Sequence, residues 1–268
     1  VTITLQTLNT TILKRYLLAY DVRMKPFLII QLRPEDETSD NEYQAILQFG
    51  GLTPETAERL RIETTGIPPL LLEKYSGIIV GGSPFDISTP EAEKSDIQKK
   101  IEADFASLFD QVVVKDFPFL GACSGNGLLG NYCKATISKT YGEPVGGVDV
   151  FVTDEGKEDP LLAGLPSPFR ALVGHKEACD ATPPGATLLA FSDTCPVQMF
   201  KVGNNVYATQ FHPEGDAVGF TVRINTYKHH GYFPPETAEE LIGRINTERT
   251  PHAQEVLRRF VERYHTPA

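Results

Sequence analysis

The chain has 268 residues, 41% hydrophobic and 22% charged, which suits a soluble globular protein of one large α/β domain or two small ones. A formal net charge of −10 argues against a nucleic-acid or anionic-membrane surface. No apolar run reaches the roughly 18 residues of a membrane span, and Cys123, Cys133, Cys179 and Cys195 show neither CxxC nor Cys/His metal spacing, as expected of reduced thiols in a cytoplasmic protein.

Residues 1–23 are rich in Thr and Leu, without the apolar core or cleavage site of a signal peptide. They read as a poorly packed extension, with the domain starting at Met24-Lys25-Pro26. Phe27 to Leu32 is a continuous apolar run, the pattern of a strand buried on both faces. Arg33 to Glu42 reads as an acidic surface loop, and Asn41 to Gly50 as a helix closed by Gly50-Gly51. Arg59 to Thr64 alternates like a half-exposed strand. Gly77 to Val80 is a second buried strand, ending in Gly81-Gly82-Ser83-Pro84. Thr89-Pro90-Glu91 resembles a helix start, and Ile97, Ile101, Phe105 and Leu108 then recur at helical spacing.

Val112 to Val114 and Pro118 to Leu120 lead into Gly121-Ala122-Cys123-Ser124-Gly125. This is the layout of a nucleophile elbow: buried strand, sharp turn with the reactive residue, then helix. The positive end of that helix favours a thiolate. Beyond it, Gly147 to Thr153 alternates like an exposed strand, and Asp154 to Pro168 reads as a loop. Thr187 to Phe191, Val197 to Lys201 and Val206 to Phe211 form an antiparallel patch. Ala253, Val256, Leu257, Phe260, Val261 and Tyr264 make one apolar helical stripe. The expected architecture is α/β: a three-layer, open, mostly parallel sheet of flavodoxin-like or Rossmann-like type, with an appended antiparallel patch and C-terminal helices.

A nucleophilic cysteine needs a base, and the base an orienting group. His212 follows the strand Val206 to Phe211 and precedes Pro213, which biases it to an extended conformation. His212 and Glu214 then project to the same side. The Ser124 amide offers one oxyanion donor, and Gly81-Gly82-Ser83, at the end of another buried strand, offers a second. Neither GxGxxG nor GK[ST] occurs, and His229-His230 lacks further ligands at metal spacing, so no cofactor or metal is expected.

Gly-Gly-x-Pro, Gly-x-Cys-x-Gly and Phe-His-Pro-Glu, in this order, resemble the class I (triad) glutamine amidotransferases, above all stand-alone members related to the glutaminase domain of GMP synthase. The resemblance spans roughly Lys25 to Tyr232. It implies an amidotransferase domain over 24–232, which leaves 233–268 as a helical extension packed on it. It also implies Cys123 as nucleophile, His212 as base, Glu214 as its partner, and the Gly82 and Ser124 amides as the oxyanion hole. Gly81, Gly125, His175 and Glu177 fall where such proteins line the glutamine pocket. Gly127 departs from the pattern, because the family usually carries Gln or a similar polar residue there.

The implied reaction is hydrolysis of the glutamine side-chain amide through a γ-glutamyl thioester, with ammonia passed to a synthetase on another chain. A γ-glutamyl hydrolase acting on γ-glutamyl amides is the alternative, and a silent binding protein the third reading.

Overall fold

Five consecutive buried residues leave the strand Phe27–Gln31 (β1) no solvent face. Successive side chains of a strand point opposite ways. Phe27 and Ile29 accordingly enter one core, and Leu28 and Ile30 another. The structure, a computed structural model, describes residues 24–268. The extension expected over 1–23 lies outside the described residues.

After β1 come α1 (Asp36–Gly50), β2 (Ala57–Arg61), β3 (Gly77–Val80), α2 (Asp96–Val112), β4 (Phe119–Ala122) and α3 (Ser124–Tyr132). Then follow β5 (Ile137–Ser138), β6 (Glu143–Val152), α4 (Asp154–Lys157), β7 (Phe169–His175), β8 (Ala178–Cys179), β9 (Ala186–Phe191), β10 (Met199–Val202) and β11 (Val206–Thr209). The chain closes with α5 (Ala217–Tyr227), α6 (Ala238–Ile245) and α7 (Pro251–Tyr264).

One nine-stranded sheet runs β2-β1-β3-β4-β11-β10-β9-β6-β7. Pairing is parallel from β2 across to β11. It is antiparallel from β11 across to β7, so the antiparallel patch continues the same sheet. Helices α1 and α7 cover the face that receives Phe27, whose ring lies 6.0 Å from that of Phe260. Helices α2 and α3 cover the other face. The expected stripe on α7 is buried along its length. Among the described residues, no helix is long and apolar enough to cross a membrane.

Several boundaries differ from the sequence reading: β2 is Ala57–Arg61 rather than Arg59 to Thr64, β6 begins at Glu143, β10 is Met199–Val202, β11 ends at Thr209, and the expected loop Asp154 to Pro168 opens with helix α4. Helix α1 starts at Asp36, so the expected acidic loop is helical and Glu42 is fully buried. Helix α2 starts at Asp96, because Ser95 rather than Thr89 supplies the cap by accepting from the Gln98 N–H. That helix also runs through Val112, which the sequence pattern places in an extended approach to the elbow. Strand β7 escapes the sequence pattern, because Arg170 and Gly174 interrupt its apolar run. It is nonetheless the strand that carries His175 to the rim.

Candidate active site

Strand β4 ends at Ala122, and Cys123 caps α3 with φ 52° and ψ −99°. A positive φ is uncommon for any residue with a side chain and marks a turn held by its surroundings. The Cys123 N–H donates to the Thr209 carbonyl at 2.8 Å, which pins the turn to β11. A methyl group at Gly121 would sit 2.9 Å from the Gly125 backbone, so the elbow closes this tightly only with glycine at 121.

The parallel β4–β11 pair brings the two distant sequence blocks together. Beyond β11, the His212 N–H donates to the Leu172 carbonyl at 2.9 Å. Its Nδ1 lies 2.7 Å from Glu214 Oε1 and 3.1 Å from Arg223 Nη1; in the tautomer that donates from Nδ1 to the carboxylate, Nε2 is left to accept a proton. Arg223 Nη2 donates to the same Oε1 at 2.9 Å, and Phe220 packs edge-on against the imidazole. Cys123 and His212 line one cavity, together with Arg33, Arg223, Tyr227, Tyr232 and Phe233 among others.

Protonation follows from burial. Desolvation pushes the Cys123 thiol up to about 12, against the opposing pull of Arg33. The positive end of α3 opposes that rise. Burial also lowers His212; Glu214 opposes that shift, and Arg223 reinforces it. Burial alone would raise Glu214, but His212 and Arg223 outweigh it and hold the carboxyl well below its usual range. The resting site is a neutral thiol, a neutral imidazole and an ionised carboxylate. The rate of Cys123 alkylation by iodoacetamide, followed by site-resolved mass spectrometry, should climb about tenfold per pH unit from 7 to 10, because the thiolate fraction grows until pH reaches the thiol pKa. A plateau below pH 9 would contradict this assignment.

The Gly81-Gly82 turn reaches the imidazole: a methyl group at Gly82 would lie 3.1 Å from His212 Cε1. However, the Gly82 N–H, expected at the oxyanion, donates to Glu42 Oε2 at 3.1 Å. Glu42 also accepts from Arg33 Nε at 2.7 Å and Gln31 Nε2 at 3.1 Å, and Arg223 Nη2 lies 3.8 Å from it. Arg33, Glu42, Arg223 and Glu214 thus form one buried network behind the thiol and imidazole. Sequence reading misses three of its members. The signal is present: Thr38, Glu42, Ala45 and Ile46 share the buried face of α1, as Phe220, Arg223, Ile224 and Tyr227 share that of α5.

A second cavity also touches Cys123 and includes Ser124, Gly127, His175 and Glu177 in its wall. His175 is spent on structure, with Nε2 2.8 Å from Glu143 Oε2 and Nδ1 2.9 Å from the Glu177 carbonyl. The Glu177 carboxylate accepts the N–H groups of Ile87 at 2.6 Å and Ser88 at 2.8 Å. Gly81 and Gly125 pack against Glu42 and Val80 and lie outside both cavity walls. Glu143, His175 and Cys195 offer ligand atoms within 4.8 Å of one another. Both His175 nitrogens are already engaged, and Glu143 also accepts from Ser192, Thr194 and Gln198. The trio is therefore a satisfied buried polar cluster.

The family model for class-I glutamine amidotransferases matches residues 39–220. The chain is 30% identical over 142 residues to a glutamine-hydrolysing GMP synthase subunit of Methanococcus maripaludis, covering 53% of this chain and 65% of that one. It is 30% identical over 179 residues to the corresponding protein of Sulfurisphaera tokodaii, covering 63% and 88%. A solved glutamine amidotransferase from Thermotoga maritima shares the fold with TM-score 0.67 and 22% identity, over 90% of this chain and 98% of that one.

Proposed function

Because the chain belongs to the class-I glutamine amidotransferases, we propose that it hydrolyses the side-chain amide of glutamine at Cys123 and yields ammonia for a synthetase on another chain. The observation that carries this reading is the convergence of Cys123, on its strained elbow, with the His212–Glu214 pair at one cavity. His212 Nε2 takes the thiol proton as sulfur attacks the carboxamide carbon. Proton transfer and attack are coupled, since neither group is charged at rest. The Ser124 amide, at the start of α3, faces the developing oxyanion, a role worth about 3–4 kcal/mol per donor. The tetrahedral adduct collapses, and His212 returns its proton to the departing nitrogen. Water then cleaves the γ-glutamyl thioester to glutamate. The Gly82 amide joins as second donor only when it leaves Glu42.

The partner follows from relatives named as one separate chain of a glutamine-hydrolysing synthase. All four cysteines are free thiols, which suits a reducing, cytoplasmic setting. Residues 24–232 act as the catalytic domain, with 233–268 as its helical extension. We expect equimolar ammonia and glutamate from glutamine, measured by coupled assay with and without a candidate synthetase partner. Amine release from γ-glutamyl amides with no ammonia from glutamine would overturn the reading.

A further inference from the structure

The second cavity holds an ion pair that the reaction described above does not use. Lys176 Nζ lies 2.8 Å from Asp86 Oδ2, with the side chains 27% and 18% exposed. Both line the wall that Cys123 shares. The Lys176 ammonium also sits 4.8 Å from the centre of the Tyr232 ring. Asp86 belongs to a loop that is held firmly: Glu177 grips the next two N–H groups, and Gln98 Nε2 donates to the Asp86 carbonyl at 2.8 Å. Of the carboxylates in this wall, Glu177 is thereby spent, and Asp86 retains a charge that can change partner. At Gly127 the wall offers no polar side chain, and a methyl group there would make only ordinary contacts, 3.5 Å from Ile87 and 3.9 Å from Glu177.

A free α-amino acid presents one positive and one negative group on the same carbon. A partly solvated Lys–Asp pair can trade its internal contact for both of them without burying net charge. A ligand lacking either group would leave one partner unmatched, which is how polar sites reject analogues. Resting on the glutaminase reading above, we propose that Lys176 takes the α-carboxylate of the substrate and Asp86 its α-ammonium. They read the amino-acid head by charge, where Gly127 supplies no side chain.

The test needs neither turnover nor a partner. 6-Diazo-5-oxo-L-norleucine carries an intact α-amino-acid head. Its diazo carbon takes up a proton, sulfur displaces dinitrogen, and a thioether remains on Cys123. Iodoacetamide forms a thioether by displacing iodide and has no such head. Labelling of Cys123 is followed by mass spectrometry against concentration. In the wild type, the diazo compound should saturate and glutamine should protect. Lys176→Met and Asp86→Asn should each raise the half-saturating concentration by roughly tenfold or more, the usual weight of a charge-assisted hydrogen bond. Their iodoacetamide rates should stay within about twofold, and Lys176→Arg should keep near-wild-type saturation.

Saturation unchanged in both variants would overturn this inference alone. Iodoacetamide rates that change in step would also overturn it, since the pair would then only shape the loop. A wild type that neither saturates nor is protected would overturn the glutaminase reading itself.

Discussion

Cys123→Ala will lower ammonia release from glutamine by roughly 10⁴–10⁶-fold, the range seen when a nucleophile is removed from a concerted catalytic set. No other thiol can replace it. Cys179 and Cys195 are buried outside both cavity walls, and Cys133 lies at the far end of α3. Alanine keeps the Cα geometry at φ 52° and removes only sulfur, so the fold should survive. Far-ultraviolet circular dichroism alongside the ammonia assay separates the two effects. Residual turnover within tenfold of wild type would place the chemistry elsewhere.

Glu42→Ala will destabilise the protein by about 3–5 kcal/mol, because Arg33 is then left charged and unpaired in the interior. The side chains of the pair are 6% and 0% exposed, so water cannot take the place of the carboxylate. Burial opposes the charge on Arg33, and Glu42 with Tyr227 more than restores it, holding the guanidinium above its ordinary value. Arginine therefore does not escape by losing its proton. The double variant Arg33→Met/Glu42→Met should recover most of the loss in a urea midpoint, since no unpaired charge remains. If the single and double variants unfold at the same midpoint, the pair is not what holds this region together.

Some of this is written locally in the chain. The elbow depends on a short turn whose glycines and cysteine are neighbours in sequence. Strand β1 needs only its unbroken apolar run, and α7 only its stripe from Ala253 to Tyr264. His212 and Glu214 are legible because two residues of extended chain place both side chains on one side.

The network behind them is not, because its members meet only after the sheet has formed. Glu42 lies in a stretch whose composition is that of a solvated loop, and what buries it is the approach of β1, β3 and α5. The position of the Gly82 amide at a strand end points to the oxyanion, yet that position is also within reach of the Glu42 carboxylate. The thiol of Cys123 is raised for a related reason: a helix end is visible in sequence, whereas the groups that desolvate the sulfur come from elsewhere in the chain.

The quartet of Arg33, Glu42, Arg223 and Glu214 has a consequence for descent. Two cations and two anions cancel, and each of the four touches or neighbours another across strand, helix and loop. Drift at one position strands an opposite charge beside the sulfur, so a tolerated change must come with its counterpart. Across homologous chains these positions should therefore turn over jointly: a lineage that has lost Arg33 will have lost Glu42 as well.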